Sequence, residues 1–237
     1  MHLTPTLSLI IPCYNECGSI PSLIANIEQL ILQLPTIEII LVNNGSTDDT
    51  AVLLNSLALS NHYNIVNISI NKGYGHGILQ GLQVAKAPVL AFTHADMQTH
   101  PLDVLLAYNA YIAANNIMLV VKGLRQKRNW LDAAFTKGMS WYSSVMLQVS
   151  LTDVNAQPKL FSSIFYKCIK EEAPLDFSLD VYLLYKAKTL GSIHTIPVLY
   201  NKRKQGSAKG GGTLKGKWKL IKRTVTYIQL LKKKLKH

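Results

Sequence analysis

Residues 93–98 (Thr-His-Ala-Asp-Met-Gln) carry side chains that could hold a metal ion. Asp96 and Gln98 are two residues apart, so a carboxylate and an amide oxygen can both reach one hard cation from a turn. One carboxylate and one amide make a weak site by themselves. The site becomes adequate if the phosphates of a ligand supply further oxygens, as they commonly do for magnesium. The other interpretation is a turn at a strand end, capped by Asp96.

Residues 71–77 (Asn-Lys-Gly-Tyr-Gly-His-Gly) are predicted to begin a helix and could bind a phosphate. Glycines at a helix start permit the close approach of a phosphate group, and Lys72 either pairs with it or remains in solvent. The glycine spacing does not match the dinucleotide-binding fingerprint, which follows the first strand of its domain. A Rossmann-type dinucleotide site is therefore not expected.

The elements that must position these residues follow from the apolar periodicity of the first half. Short apolar runs predict strands, and apolar residues three and four apart predict helices. The predicted strands cover residues 7–12, 37–42, 65–70, 88–92 and 118–121; the predicted helices cover 18–34, 74–87 and 101–114, and another begins with Ser46 as its cap. Apolar strands that alternate with helices indicate an α/β fold, a mostly parallel sheet with helices on both faces.

The second half has a less regular pattern. It is predicted to contain a basic loop with Arg125, Lys127 and Arg128, helices at 135–149 and within 175–190, a strand at 194–200, a glycine-rich loop at 205–213 and an amphipathic helix at 214–235. Asp180 falls near the start of the second of these helices.

Three polar clusters follow predicted strands directly. They are residues 14–16 after the first strand, 43–46 after the second and 93–98 after the fourth. Ligand sites of parallel α/β sheets lie beyond the carboxyl ends of the strands. The sequence therefore predicts one site at this edge of the sheet.

Composition excludes several classes of protein. The 237 residues are 48% hydrophobic and 16% charged, which is enough apolar material for a core and too little charge for a disordered chain. No run of about 18 apolar residues predicts a membrane-spanning helix. Three cysteines cannot form a disulfide framework, so we expect a cytoplasmic protein with reduced thiols.

The net charge of +12 lies entirely in the C-terminal tail. Residues 202–237 contain 13 Lys or Arg and no Asp or Glu, which leaves 12 basic and 13 acidic residues in 1–201. A nucleic-acid-binding domain would have basic residues throughout its body, so nucleic acid is not the expected partner. A basic tail points to a polyanion such as lipid headgroups or a diphosphate ligand.

Four segments resemble, in order, the motifs of family 2 glycosyltransferases, particularly the polyprenyl-phosphate sugar transferases. They are Pro12–Glu16 (Pro-Cys-Tyr-Asn-Glu), Val42–Asp48 (Val-Asn-Asn-Gly-Ser-Thr-Asp), Asn71–Gly73 and His94–Gln98. The resemblance is strong over residues 7–125 and weaker beyond. It implies the GT-A nucleotide-diphospho-sugar transferase fold. It also implies transfer of a sugar, with inversion, to a lipid-linked polyprenyl phosphate or a cell-surface glycan.

The same resemblance implies roles for particular residues. It assigns a divalent metal, manganese or magnesium, to Asp96 and Gln98 with His94, and general-base catalysis to Asp180. It assigns the nucleotide-sugar pocket to Pro12, Tyr14, Glu16, Asn43, Asn44, Lys72, Ala95, Arg125, Arg203 and Lys209. Asp180 has two other interpretations, because it could orient the sugar or merely stabilise its own helix N-terminus.

The chain departs from the family motifs at two places. His94 stands where the family has the first Asp of the metal motif, and it either ligates manganese or bonds to a phosphate. Asn43 and Asn44 replace Asp-Asp and remove charge where the base is recognised. A relative that binds a nucleotide-sugar without catalysis is the alternative function.

The basic tail bears on the acceptor. Apolar residues recur at helical spacing from Leu214 to Leu235, and lysines occupy much of the rest. Such a helix either lies in an anionic membrane interface or packs on its own domain with a solvated basic face. We predict a catalytic domain at 1–213, a basic amphipathic helix at 214–237 and a peripheral membrane location.

Overall fold

The computed structural model describes residues 4–57, 62–127, 130–201 and 214–234, in which strands and helices largely alternate. The strands are β1 (Leu7–Cys13), β2 (Ile37–Asn44), β3 (Tyr63–Ile68), β4 (Val89–Phe92), β5 (Leu119–Gln126), β6 (Lys159–Ser162) and β7 (Ser192–Leu199). The helices are α1 (Ile20–Gln33), α2 (Thr50–Asn55), α3 (Tyr74–Val84), α4 (Asp103–Ala114), α5 (Trp130–Leu147), α6 (Ser163–Ile169), α7 (Leu179–Leu190) and α8 (Leu214–Lys234). One 3₁₀ turn, Lys170–Glu172, follows α6.

The strands of the described ranges form one sheet in the order β3-β2-β1-β4-β6-β5-β7. β1 pairs in parallel with β2 and β4, β2 with β3, and β5 with β7. β6 runs antiparallel between β4 and β5. The predicted mostly parallel sheet is confirmed, and its parallel neighbours are joined by crossover segments that contain helices, because a tight turn cannot join parallel strands.

Both faces of the sheet are buried. On β1, Leu9 and Ile11 pack on the side of α1 and α4, while Ile10 packs on the side of α3 and α7. Side chains of a strand alternate between faces, so a strand covered on both sides is apolar at most of its positions. This burial explains why the strand signal in the sequence is a continuous apolar run.

The predicted N-terminus of the second helix is wrong. Ser46 does not cap a helix, because its hydroxyl accepts a hydrogen bond from the backbone N–H of Asn15 at 3.1 Å. The helix begins at Thr50, whose N–H donates to Asp48 at 3.0 Å. The segment between β2 and α2 is therefore a loop that is hydrogen-bonded to the loop after β1, and it does not form the start of a helix.

The predicted basic loop after β5 is wrong for Arg125. β7 pairs with the whole of β5, so the strand continues to Gln126 and includes Arg125. Strand β6 and helix α6 were not predicted. Four residues beginning with a lysine give no periodic signal, and β6 is held by pairing with two strands from distant parts of the chain.

Helix α8 shares a core with the rest of the chain. Ile228 is fully buried and Leu231 nearly so, in the cluster that also contains Tyr182 of α7. Of the two alternatives predicted for this helix, packing on its own domain therefore applies to the side that carries Ile228 and Leu231. The predicted boundary at residue 213 lies outside the described residues.

Candidate active site at the strand ends

The loops after β1 and β2 are joined by side-chain hydrogen bonds. Asn15, with a positive φ of 52°, donates its N–H to Ser46 and accepts from the N–H of Thr47 at 2.7 Å. The N–H of Glu16 donates to the hydroxyl of Thr50 at 2.8 Å. These bonds fix one wall of the predicted site.

The predicted base-binding residues lie in or beside this wall. Pro12 and Tyr14 are half-buried, whereas Glu16 is buried and its carboxylate accepts a hydrogen bond from Ser19 at 3.1 Å. Lys72 is exposed on the loop that leads into α3, and Ala95 is buried in the loop after β4. The structure thus places Pro12 in β1 near its carboxyl end and the other four residues on the loops that follow β1, β3 and β4.

Asn43 and Asn44 at the end of β2 differ in what they offer to a ligand. The amide of Asn43 is used by the protein, because its nitrogen donates to Asn67 at 3.0 Å and its oxygen accepts from the N–H of Ser46 at 3.1 Å. The nitrogen of Asn44 donates to the carbonyl of Gly73, while its buried oxygen has no hydrogen-bond partner in the described part of the chain. Asn44 is therefore the one that retains an acceptor.

Helix α3 approaches this end of β2 closely. A Cβ at Gly77 would stand 2.9 Å from the amide nitrogen of Asn44 and 3.3 Å from Pro12. Glycine is required at this position by the contact with Asn44 and Pro12. Gly77 thus serves helix packing against the wall, while Gly73 and Gly75 lie close to the backbone of residues 174–176.

The loop after β4 has the conformation expected of a site loop. Met97 has a φ of 60°, which is uncommon for a residue other than glycine, and the carboxylate of Asp96 accepts the N–H of Gln98 at 3.1 Å. Burial lowers the pKa of His94, and the negative charge of Asp96 only partly opposes that shift. A neutral imidazole keeps the lone pair with which histidine ligates metals.

These residues fit a divalent metal whose remaining ligands come from elsewhere. Asp96 offers a carboxylate, Gln98 an amide and His94 a neutral imidazole. Within the described ranges, no group of three or more His, Cys, Asp or Glu residues could hold a metal ion. The donor set is therefore sufficient only if a ligand such as a diphosphate adds oxygens.

A buried ion pair lies next to loop 93–98, which is called the metal loop after its predicted role. Lys159 of β6 is fully buried, and its ammonium lies 2.5 Å from Asp180 at the start of α7. Lys159 pairs with Phe92, the residue before the loop 93–98, in the antiparallel register. In the described part of the chain, the hydrogen bonds to Asp180 from Lys159 and Gln157 both go to Oδ1, and Oδ2 receives none.

Tyr74 connects this ion pair to the metal loop. Its hydroxyl accepts from Gln157 at 3.0 Å, its ring stacks on Phe177 at 4.8 Å, and the His94 ring is 5.5 Å away. Burial raises the pKa of Tyr74 well above its usual value, and the nearby carboxylates add to the effect. Tyr74 is therefore a neutral phenol between Asp180 and His94.

A second group of buried charges lies on and beside β5, the strand next to Lys159. Arg125 forms an ion pair with Asp153, and Lys122, which is opposite Lys159 in the sheet, donates to the carbonyl of Asp153 at 3.1 Å. Burial lowers the pKa of Lys122 to about 7, and Lys159 adds to the shift. Arg125, expected near phosphates, is thus held by a carboxylate of the protein.

The chain returns to the metal loop just before residue 202. The N–H of Asn201 donates to the carbonyl of Gln98 at 2.8 Å, and the Arg125 guanidinium lies over the ring of Tyr200 at 5.1 Å. Arg203 and Lys209, predicted to contact the phosphates, lie outside the described residues.

Sequence reasoning missed five residues at this site. A lysine directly after an apolar run is the signal that could have revealed Lys122, which follows Leu-Val-Val, whereas Lys159 begins a strand that the sequence does not show. The missed residues are Tyr74, Lys122, Asp153, Gln157 and Lys159.

The sequence that forms most of this sheet and the loops at the carboxyl ends of its strands matches a known family. The family model described as glycosyl transferase family 2 matches residues 8–161, so the chain belongs to that family. The predicted family is confirmed.

Particular relatives come from bacteria. An undecaprenyl-phosphate 4-deoxy-4-formamido-L-arabinose transferase of Pseudomonas fluorescens is 30% identical over 154 residues, which are 62% of this chain and 44% of the relative. The corresponding enzyme of Aeromonas hydrophila is 28% identical over 137 residues, 56% of this chain and 40% of the relative. Each match thus spans less than half the length of the curated relative.

Solved structures share the GT-A fold. Glucosyl-3-phosphoglycerate synthase from Mycobacterium tuberculosis, in complex with Mn²⁺, uridine-diphosphate and glucosyl-3-phosphoglycerate, has a TM-score of 0.70 and 17% identity, over 96% of this chain and 80% of that one. A mannosyltransferase from Pyrobaculum calidifontis, in complex with GDP-Man and Mn²⁺, has a TM-score of 0.64 and 18% identity, over 92% and 61%. At these identities the likeness establishes the fold alone.

Proposed function

We propose that this protein transfers a sugar from a nucleoside-diphosphate sugar to a lipid-linked phosphate acceptor. The observation that carries the proposal is the meeting of the four motif segments at one edge of the sheet, with buried cations behind the metal loop. The curated relatives with undecaprenyl-phosphate in their names support the lipid-linked acceptor.

The donor would bind across the loops after β1, β2 and β4. Pro12, Tyr14 and Glu16 would line the pocket for the base, and the buried amide oxygen of Asn44 would become an acceptor for it if the side chain turned toward the pocket. Asp96, Gln98 and neutral His94 would hold a divalent metal against the diphosphate. When bound, this metal stabilises the negative charge that develops on the departing nucleoside diphosphate.

The protein's own cations support departure of the nucleotide. Lys122, Arg125 and Lys159 outnumber the carboxylates Asp153 and Asp180 when all five are ionised. Fixed charges in a low-dielectric site act strongly on charge that forms during the reaction. Arg203 and Lys209 would add to this effect, since the chain leaves the metal loop at Asn201, two residues before Arg203.

The role of Asp180 depends on the acceptor. A phosphate acceptor is already ionised and needs no general base, whereas a hydroxyl acceptor does. Lys159 fixes Oδ1 of Asp180, which leaves Oδ2 to accept a hydrogen bond from a sugar hydroxyl. We assign Asp180 the orientation of the sugar, with inversion in a single displacement by the phosphate oxygen.

A thermal-shift screen of UDP, GDP, CDP and TDP with and without Mn²⁺ tests donor binding. A ligand that binds only the folded protein raises its stability by about 2.7 kcal/mol at one hundred times its Kd. We expect one diphosphate to raise Tm more with Mn²⁺ than without it, and the increment from Mn²⁺ to be lost in Asp96→Asn. If none of the four raises Tm, the proposal is wrong.

A non-catalytic nucleotide-sugar binder is the second candidate function. It is favoured by His94, which leaves Asp96 as the carboxylate of the metal motif. Both candidates bind the diphosphate, but only the enzyme releases sugar slowly from the matching nucleotide-sugar in the absence of acceptor. Chromatography of that nucleotide-sugar after incubation with Mn²⁺ distinguishes them.

A lipid-linked acceptor implies contact with a membrane. Among the described helices, none is both long and apolar enough to cross a bilayer. We propose a cytoplasmic, peripheral location, with the basic helix α8 next to the anionic surface.

A further inference from the structure

Helices α5 and α8 lie side by side and run in the same direction. The side-chain amide of Gln229 contacts the hydroxyl of Tyr142 at 3.5 Å, and the ammonium of Lys232 contacts the sulfur of Met146 at 4.0 Å. Residue numbers increase together in these two contacts, so the helices are parallel. The outer sides of both helices are therefore neighbours.

The C-terminal part of the apolar side of α8 is not available to a membrane, whereas Trp218 near the start of the helix is 71% exposed. Ile228 and Leu231 are buried in the core of the protein. The outer side of α8 carries exposed Lys222, Arg223, Lys233 and Lys234. The sequence from 202 to 237 has no acidic residue that would offset them.

The outer side of α5 is apolar and open. Trp141 is 69% exposed and Val145 is 56% exposed. Together with exposed Ala134 and Gly138, they recur three and four residues apart and lie on one face of the helix. A Cβ at Gly138 would meet nothing within 4 Å. Two neighbouring exposed apolar side chains, with small residues extending their row along the helix, are consistent with an interaction surface.

We propose that the outer sides of α5 and α8 form one docking surface for an anionic lipid bilayer. Trp141 and Val145 enter the headgroup region, where tryptophan is favoured, and the cations of α8 contact lipid phosphates. The inference rests on the proposed function for the presence of a membrane-bound acceptor. It assigns the apolar contact to α5, whereas the sequence pattern predicts it on α8.

Charge favours a bilayer over a second copy of this chain. A two-fold dimer through the same surface would bring the cations of one α8 close to those of the other. Like charges that face each other across an interface oppose association. An anionic bilayer complements both the basic and the apolar part of the surface.

Co-sedimentation of the full chain with vesicles tests the surface. The variant Trp141→Gln/Val145→Gln removes the apolar stripe, and Leu32→Gln/Val52→Gln changes two equally exposed apolar residues away from α5 and α8. We expect binding to phosphatidylglycerol-containing vesicles to fall at least tenfold in the first variant and to be unchanged in the second. Circular dichroism and Tm verify that both remain folded.

Tryptophan emission gives a second measurement that does not rely on the loss of binding. Trp130→Phe/Trp218→Phe leaves Trp141 as the only tryptophan. We expect its emission to shift to the blue on vesicles and to be quenched by brominated lipid. Emission that is unchanged in sedimenting protein would overturn the inference, because Trp141 would then remain in water.

Two further results would overturn the proposed docking surface. Equal vesicle binding by the stripe variant and the wild type would mean that charge alone binds the membrane. A wild-type dimer that the stripe variant converts to a monomer, without change in vesicle binding, would assign α5 to a second copy. UDP binding with Mn²⁺, measured on the same samples, separates failure of the proposed function from failure of this surface.

Discussion

At the scale of single residues, the proposed metal chemistry depends on Asp96 and His94. Asp96 is the carboxylate of the metal loop, and its geometry is fixed by the left-handed Met97 and by the N–H of Gln98. His94 is kept neutral by burial. One anionic and two neutral donors suit a metal that accepts nitrogen and shares phosphate oxygens.

Asp96→Ala is expected to abolish sugar transfer and leave the fold intact, because it removes the carboxylate of the metal loop. Initial rates and Tm measure the two effects, with exposed Asp49→Ala as the control. Retention of more than about a tenth of the wild-type rate would argue against a metal role, since tenfold is only about 1.4 kcal/mol of barrier.

His94→Asp is expected to shift metal preference from manganese toward magnesium, because a hard oxygen replaces a nitrogen. The Tm increment from the preferred diphosphate, titrated with each metal, measures the preference without a turnover assay. An unchanged preference would assign His94 to the phosphate or to the fold.

Lys122 is expected to make stability depend on pH. Folded Lys122 loses its proton near pH 7, whereas unfolded Lys122 keeps it to about pH 10.4. Between these values the unfolded chain binds more protons, so the free energy of unfolding rises with pH, by at most about 1.4 kcal/mol per unit.

Urea unfolding at pH 7.5 and 9 measures this dependence. We expect wild type to gain about 1–2 kcal/mol more than Lys122→Met over that range, because the other titrating groups are common to both proteins. Identical gains would show that Lys122 stays protonated in the folded state.

At the scale of elements, α8 has two sides with different tasks. Its inner side completes the core formed with α5 and α7, and its outer side carries cations. Strand β6 is a comparable case, since four residues bring Lys159 between the metal loop and Asp180. A short strand, β6, thus positions the buried Lys159, and the last described helix, α8, positions the exposed cations.

Ile228→Ala is expected to destabilise the fold by about 2–5 kcal/mol, because it leaves a cavity in the core. The exposed neighbour Leu230→Ala should cost under about 0.5 kcal/mol. Chemical denaturation of both variants provides the comparison. Equal, small effects would mean that α8 does not belong to the core.

At the scale of the whole molecule, the excess of positive charge lies in a different part of the sequence from most of the candidate site. Residues 1–201 are nearly neutral, and the excess of positive charge lies in residues 202–237. Asp153 and Asp180 offset two of the three buried cations near the site. Long-range attraction to an anionic surface therefore falls to the tail.

Neutralising three exposed cations of α8 is expected to weaken binding to anionic vesicles, because each contributes about 1 kcal/mol near such a surface, and salt should reduce the difference. The matched control neutralises three exposed lysines elsewhere. The substitutions are Lys222→Gln, Arg223→Gln and Lys233→Gln in the test variant and Lys86→Gln, Lys167→Gln and Lys188→Gln in the control. Equal losses in both would show that total charge, and not the tail, determines binding.

The sequence by itself predicted the parallel strands of the first half, most of the helices that cover them and the edge of the sheet where the candidate site lies. Strands buried on both faces are largely apolar, and the motif segments lie at the carboxyl ends of strands or directly after them. These are local properties, so β1, β2, β4 and the loop 93–98 could be predicted from neighbouring residues alone.

Only the tertiary structure decided which charges meet. Lys159 and Asp180 are 21 residues apart, and Arg125 and Asp153 are 28 apart, so no spacing rule connects them. Their pairing depends on β6 inserting antiparallel between β4 and β5. For the same reason the sequence showed that α8 is amphipathic but not which surface its apolar side covers: burial of Ile228 depends on contacts with helices more than thirty residues away.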